Sequence, residues 1–194
     1  MLTENETYET YDEVMRRARD YGASCSKSAP VRKAFRNKKC GTFFRRVNIP
    51  VSKHPVIYEY KRGADGDLPY RTFLVVEGSE GESFVASTAR GNMYQVMHSH
   101  AINRYMQRSR FEGTFDEARL KIMDYLHYYY ISKDYTDDTK YVYFDGGMFI
   151  CTVDGNIMHF RTFIMNRQCH LNQRMLSLES EKGREWAKET FGLT

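Results

Sequence analysis

Apolar residues change their spacing along the 194-residue chain, and these changes divide it into predicted elements. Residues 8–21 repeat apolar side chains at helical spacing, with Tyr11, Val14 and Ala18 on one side, and Gly22 is predicted to end this helix. A basic stretch follows, with a short helix predicted at residues 31–37. The chain therefore opens with helical rather than strand-like patterning.

Strand-like patterning begins after residue 54. Residues 55–60, 70–77 and 83–87 are rich in β-branched and aromatic side chains, which predicts three strands. Gly, Asp and Pro occupy the short connections between them. Because a parallel crossover needs about a dozen residues or more, these strands are predicted to pair antiparallel.

Two helices are predicted in the middle of the chain. The first runs from about residue 93 to 110, and the second from 115 to about 130 with a long apolar stripe. Thr114 and Glu117 have the spacing of a capping box, in which a hydroxyl and a carboxylate satisfy two unpaired N–H groups. Thr114 is therefore predicted to precede the second helix.

The last third of the chain predicts a β-meander at residues 140–145, 148–153 and 157–165. Gly146-Gly147 and Asp154-Gly155 supply turns that need positive φ. A final helix is predicted at residues 171–191. The fold class is α+β: an N-terminal helix and antiparallel strands, two central helices, a C-terminal antiparallel meander and a terminal helix. Residues 1–54 are predicted to form an N-terminal helix and basic segment, and residues 55–194 the α+β domain.

Composition and charge bear on the size of the core and on the class of partner that the chain would attract. Hydrophobic residues make up 41% of the chain, enough to build a core. The net charge of +4 is mild, but residues 27–53 contain many Lys and Arg residues and no acid. This segment is either a surface that attracts a polyanion or a solvated basic arm.

The cysteines and the N-terminus indicate the cellular compartment in which we expect the protein. The four cysteines show no paired CxxC spacing, which argues against a zinc ribbon. The N-terminus is polar and acidic, and no run of about 18 apolar residues predicts a membrane span. We therefore expect a cytoplasmic protein with free thiols that binds no membrane. No motif predicts a metal or a cofactor.

The strongest candidate for chemistry is a ridge on the first central helix. His100, Arg104 and Arg108 are spaced four apart and fall on one face. An imidazole transfers protons near neutral pH, and two guanidinium groups bind phosphate oxygens. The alternative is a polar helix face exposed to solvent. His98, two residues earlier, is predicted to point elsewhere.

The last meander strand carries a second candidate group. Alternation places His159, Arg161 and Phe163 on one side, and predicts Phe160 and Ile164 in the core. His159 and Arg161 would then lie on an open face, either solvated or lining a groove. Gln173, near the start of the terminal helix, would reach the same neighbourhood.

Tyrosines and lysines near the meander form a third candidate group. Lys140, Tyr141 and Tyr143 follow each other on the first meander strand. Aromatic side chains beside cations are typical of surfaces on which RNA bases stack. Half-exposed tyrosines that only pack against the sheet are the alternative.

These residues together resemble a known group of small phage and mobile-element proteins, whose pattern is HAxxRYxxR, then GxF[ILV], TFI and Q. The resemblance covers about residues 87–173, and the matching residues are Ser99, His100, Ala101, Arg104, Tyr105, Arg108, Gly147–Ile150, Arg161–Ile164 and Gln173. That group looks like a distant branch of the barnase/RelE-type ribonuclease toxins.

The resemblance implies metal-independent cleavage of RNA, in which the ribose 2′-hydroxyl attacks the adjacent phosphate. His100 would be the acid or base, and Arg104, Arg108 and Arg161 would hold the phosphate. RNA or another nucleic acid and a neutralising protein are the implied partners. The alternative is a non-catalytic module that binds nucleic acid or protein, and a third hypothesis is a small-molecule enzyme using His100 and Cys169.

Overall fold

The computed structural model describes residues 2–36, 41–49, 54–63, 68–88, 91–127 and 139–165. Within these ranges the chain has the predicted α+β composition, and it divides into two compact units, Met1–Glu77 and Gly78–Thr194. No helix in the described ranges is long and apolar enough to cross a membrane. The predicted terminal helix, Gln173 and Cys169 lie outside them.

The first unit pairs two helices with a three-stranded antiparallel sheet in the order β1-β2-β3. Its elements are α1 (Tyr8–Cys25), α2 (Ala29–Arg36), β1 (Thr42–Asn48), β2 (Pro55–Lys61) and β3 (Tyr70–Gly78). Strand β1 is absent from the sequence prediction, because Arg45 and Arg46 interrupt its apolar pattern. It pairs with β2 from Thr42↔Lys61 to Asn48↔Pro55, so strand pairing spans the predicted division at residue 54.

Gly22 does not end α1, contrary to the sequence prediction, because the helix continues to Cys25. An ideal Cβ at this position would lie 2.6 Å from ring carbons of both Tyr58 and Tyr70. Beside it, the Tyr58 hydroxyl donates a hydrogen bond to the carbonyl of Ala18 at 2.6 Å. Gly22 therefore allows α1 to approach the sheet closely and does not end the helix.

The second unit has a sheet in the order β4-β5-β8-β7-β6, in which β5 and β8 are parallel and the other neighbours are antiparallel. The confirmed meander β6-β7-β8 forms one side of it. The elements are β4 (Gly81–Ser87), β5 (Tyr94–His98), α3 (Ser99–Ser109), α4 (Phe115–His127), β6 (Thr139–Phe144), β7 (Gly147–Asp154) and β8 (Ile157–Met165).

The predicted helix from residue 93 to 110 is wrong in its first part, because Tyr94–His98 is strand β5. All five of its residues are buried, and the strand lies between β4 and β8. A strand covered on both faces has no polar alternation, so its pattern resembles that of a buried helix. Helix α3 begins only at Ser99.

The capping box before α4 is confirmed. The Thr114 hydroxyl accepts a hydrogen bond from the Glu117 amide at 3.3 Å, and the Glu117 carboxylate accepts one from the Thr114 amide at 2.7 Å. This reciprocal pair satisfies two N–H groups that the helix itself leaves unpaired. The helix is described as far as His127, so the predicted end near residue 130 lies outside the described residues.

The register between β7 and β8 breaks beside Arg161. Ile150 pairs with Thr162, but Cys151 pairs with Phe160, so Arg161 is an extra residue in β8. The bulge reverses the alternation, and Phe163 is fully buried like Phe160. The prediction that Phe163 shares a side with His159 and Arg161 is therefore wrong, because simple alternation does not hold across a bulge.

Candidate functional site

A polar pocket of about 140 Å³ lies within the second unit. Four segments form its walls: the residues just before β4, the start of β4, the junction of β5 with α3, and the bulge in β8. The side chains that matter below are Glu80, Ser83, His98, Ser99, His100 and Arg161. The pocket therefore brings together His100 and Arg161, which the sequence pattern placed on separate elements.

The junction between β5 and α3 has no loop, and this explains the position of the two histidines. His98 is the N-cap of α3, with an extended backbone (φ −73°, ψ 139°), whereas His100 lies in the first turn. In a continuous helix, residues two apart would diverge by about 200°. The change from strand to helix lets both side chains reach the same pocket, so the prediction that His98 points elsewhere is wrong.

His98 is buried, at 7% exposure, and both of its ring nitrogens are hydrogen-bonded. Its Nδ1 lies 3.1 Å from the Ser83 hydroxyl, and its Nε2 lies 3.1 Å from Nη1 of Arg161. A guanidinium only donates, so Nε2 accepts and the ring proton resides on Nδ1. The ring also stacks on that of His159, with centroids 5.6 Å apart. His98 is thus held as a neutral, fixed imidazole.

His100 has the same arrangement of partners with a stronger acceptor. Its Nδ1 lies 2.7 Å from a carboxylate oxygen of Glu80, and its Nε2 accepts a hydrogen bond from Nε of Arg104 at 3.3 Å. The His100 side chain is 36% exposed. Donation by Arg104 again places the ring proton on Nδ1, where the carboxylate holds it. In both histidines, a guanidinium therefore covers the atom that would transfer a proton.

The N-terminus of α3 adds positive potential to the pocket. The first backbone N–H groups of a helix have no acceptor within it, and the helix dipole is positive at this end. The N-cap residue His98 forms no capping hydrogen bond with its side chain, and the Ser99 hydroxyl donates to the carbonyl of Glu82. The first-turn amides and Arg161 together make the pocket suitable for an anion.

The other predicted arginines occupy different positions. Arg104 adjoins the pocket through His100, and its Nη1 donates to Gln107 at 3.2 Å. Arg108 donates to the backbone carbonyl of Phe163, which ties α3 to β8. Arg161 also donates from Nε to the Thr152 hydroxyl at 3.1 Å. Among the predicted phosphate-binding arginines, all of which lie in the described ranges, Arg161 alone lines the pocket.

Of the predicted nucleic-acid-binding residues, Lys140, Tyr141 and His159 have described side chains, and these do not line the pocket. Lys140 is buried in β6, with 4% exposure, so its ammonium is not on the surface as a nucleic-acid contact requires. Tyr141 is half-buried, and Tyr143 is two positions further along β6. His159 is 6% exposed and packs on His98 instead of lying on an open face. Gln173 lies outside the described residues.

Among the pocket side chains that carry the chemistry, sequence reasoning missed Glu80, Ser83 and His98. The run Tyr94–His98, with its aromatic and β-branched side chains after Gly91 and Asn92, was the available signal for a strand that ends at His98. Glu80 and Ser83 carry no local signal, because only the pairing of β4 with β5 brings them to the histidines.

The pocket combines two imidazoles, a guanidinium, three hydroxyls and a carboxylate, a set suited to proton transfer beside a bound anion. In the described part of the chain, no group of three or more His, Cys, Asp and Glu residues is placed to hold a metal ion. Burial raises the pKa of the Cys151 thiol well above its usual range.

No protein-family model, curated protein or solved structure matches the chain.

Proposed function

We propose that this protein binds a phosphodiester of RNA in the polar pocket and cleaves it without a metal ion. The observation that carries the proposal is that His100 of α3 and Arg161 of β8 line one pocket. A proton-transfer group and a fixed positive charge within one phosphate-sized space are what attack by the ribose 2′-hydroxyl requires. The resemblance to ribonuclease toxins suggests the same reaction and remains a prediction.

Arg161 and the first-turn amides of α3 bind the phosphate oxygens in this proposal. The guanidinium forks onto two oxygens, and the backbone N–H groups add neutral donors with the favourable end of the helix dipole. These contacts stabilise the negative charge that grows on the phosphate as the fifth oxygen approaches phosphorus. The pocket volume of about 140 Å³ suits the phosphate rather than a whole nucleotide.

His100 acts as the base. Once Arg104 turns away from it, Nε2 takes the proton of the 2′-hydroxyl as the 2′-oxygen bonds to phosphorus. The bond from phosphorus to the 5′-oxygen breaks, and that oxygen takes up a proton. The Glu80 carboxylate, 2.7 Å from Nδ1, stabilises the imidazolium that forms and fixes the ring. The products are a 2′,3′-cyclic phosphate and a 5′-hydroxyl.

A non-catalytic nucleic-acid-binding module is the second candidate, and one observation favours it. Both Nε2 atoms already accept hydrogen bonds from guanidinium groups, as in a site that binds an anion without transferring protons. The resemblance to toxins implies a neutralising or partner protein, whether the chain cleaves nucleic acid or only binds it. Cleavage assays separate the two candidates.

The test is cleavage of a labelled single-stranded RNA in EDTA, compared with the same oligonucleotide carrying one 2′-deoxynucleotide at the cleaved position. We expect the wild type to cut only the RNA, and the His100→Ala and Arg161→Ala variants to lose about 100-fold or more in rate. His54→Gln is a matched control, because His54 lies in the first unit and near the amide of Leu2.

Absence of fragments from the wild type at every salt concentration would overturn the enzymatic proposal. Binding that weakens steeply with salt, without cleavage, would support the non-catalytic module, since the slope reports phosphate contacts. No binding even at low salt would remove both candidates.

A further inference from the structure

We propose that His98 is the second proton-transfer group of the pocket, and that a bound phosphate activates it by drawing Arg161 away from its Nε2. This inference rests on the proposed function for its substrate. It adds a catalytic residue that neither the helical ridge nor the resemblance to ribonuclease toxins includes. It also gives the hydrogen bond between Arg161 and His98 a role in the reaction.

The side chain of His98 is held more firmly than that of Arg161. Its ring is 7% exposed, stacks on His159, and is fixed at Nδ1 by the Ser83 hydroxyl. Arg161 is exposed, lies on the bulge of β8, and bonds to the neutral acceptors Thr152 Oγ1 and His98 Nε2. When the hydrogen bond between His98 and Arg161 breaks, the Arg161 side chain is therefore the one that moves.

A phosphate competes well for that arginine. Charge-assisted hydrogen bonds from a guanidinium to phosphate oxygens are shorter and roughly twice as strong as bonds between neutral groups. The anion therefore replaces a neutral imidazole nitrogen as the acceptor for Arg161. Since the phosphate and His98 share one small pocket, the guanidinium needs to turn only at its end.

Departure of Arg161 exposes the Nε2 lone pair beside an anion. There the ring takes a proton from solvent and becomes an imidazolium that still donates from Nδ1 to Ser83. As the bond from phosphorus to the 5′-oxygen breaks, Nε2 gives its proton to that oxygen. His100 has meanwhile received the 2′-proton, so one proton enters the site and one leaves it, and exchange with water restores both rings.

The partners at Nδ1 assign the two roles. His100 faces a carboxylate, which stabilises the imidazolium that forms when the base gains a proton. At Nδ1 His98 faces the Ser83 hydroxyl, a neutral group that stabilises an imidazolium less than a carboxylate does and so favours release of the proton to the leaving oxygen. Different surroundings thus separate an acid from a base within one pocket.

The first experiment tests activation and needs no cleavage. The imidazole nitrogen signals of the full-length protein are followed by NMR during a titration with inorganic phosphate. We expect the His98 signals to change from the neutral Nδ1-protonated ring to the imidazolium, and the Arg161→Ala variant to lose this response. Unchanged His98 signals, with or without phosphate bound at α3, would overturn the inference.

The second experiment tests the role as an acid, with an RNA whose bridging 5′-oxygen is replaced by sulfur. A thiolate leaves without a proton, so His98→Gln should lose about 100-fold on normal RNA and recover on the sulfur substrate, whereas His100→Gln should not recover. Equal losses on both substrates would show a structural role for His98. If the wild type cleaves neither substrate, the proposed function fails while the phosphate titration still decides on the interaction between His98 and Arg161.

Discussion

Nη1 of Arg161 lies 3.1 Å from Nε2 of His98, although the two residues are 63 positions apart in sequence. The parallel pairing of β5 with β8 explains this distance, because Val96 aligns with His159 and Met97 with Phe160. Continuation of that register by one residue brings His98 beside Arg161. The bulge releases Arg161 from pairing with β7, so the side chain is available to the histidine.

Glu80→Gln is predicted to slow RNA cleavage by about tenfold or more, yet by less than His100→Ala. The amide still reaches Nδ1 of His100 but lacks the charge that stabilises the imidazolium, so the base weakens without leaving its position. The measurement is the cleavage rate across the neutral pH range. Glu112→Gln, at an exposed position of the same unit, is the matched control. Equal rates for the two variants would argue against the role of Glu80.

Local sequence signals are sufficient where an element is defined by its own residues. The capping box of Thr114 and Glu117 marks the start of α4, and the glycine turns mark the meander. Such signals fail where tertiary context decides the conformation. Strand β5 is buried on both faces and has no alternation, while β1 lies among basic residues.

The candidate site shows the same division. The residue types of His100 and Arg161 suit phosphate chemistry, but their meeting in one pocket depends on the parallel β5–β8 pair. A helical wheel separates His98 from His100, and the wheel does not apply across a strand-to-helix junction. Arg108 has the right spacing but binds the carbonyl of Phe163, a contact that no sequence pattern reveals.

Tyr105→Phe is predicted to lower the free energy of unfolding of the second unit by about 1 kcal/mol. The Tyr105 hydroxyl donates to Asp145 at 2.6 Å, and the Lys121 ammonium lies 2.8 Å from the same carboxylate oxygen. Removal of the hydroxyl leaves Asp145 with one donor fewer in a half-exposed site. Denaturant titration of the variant and the wild type measures the difference. No loss of stability would show that water replaces the hydroxyl without cost.

Acid pH is predicted to weaken the stabilising contacts among Tyr105, Lys121 and Asp145. Burial alone would raise the pKa of Asp145, but hydrogen bonds from Lys121 and Tyr105 outweigh it and lower the pKa below the usual carboxyl range. A lowered pKa contributes stability above the unfolded value of about 4, and this contribution is lost as pH falls through the folded value. We expect Asp145→Asn to reduce the loss of stability on acidification, as measured by denaturant titration at neutral and acid pH. An unchanged acid dependence would assign it to other carboxylates.

Alkaline solution is predicted to destabilise the first unit. Burial is the main cause that raises the pKa values of Tyr11, Tyr58 and Tyr60 well above the ordinary value. Groups with a raised folded pKa stabilise the fold below the unfolded pKa of about 10, and this stability is lost as pH rises above it. During an alkaline titration, the tyrosinate absorbance of these three side chains should therefore appear together with the loss of the circular dichroism signal. Ionisation of these tyrosines in a chain that keeps its helical signal would contradict the prediction.

Gly22→Ala is predicted to destabilise the first unit by up to about 2 kcal/mol, although alanine favours helices. Its Cβ would lie 2.6 Å from the rings of Tyr58 and Tyr70, so α1 and the sheet must separate or the rings must turn. Such overpacking costs about 1–3 kcal/mol, against a gain of about 1 kcal/mol in helix propensity. Thermal unfolding of the variant measures the net effect. Gly41→Ala is the control, because a Cβ at that position would have no heavy atom of another part of the chain within 4 Å. If Gly22→Ala is as stable as the wild type, the close approach of α1 to the tyrosines does not constrain this position.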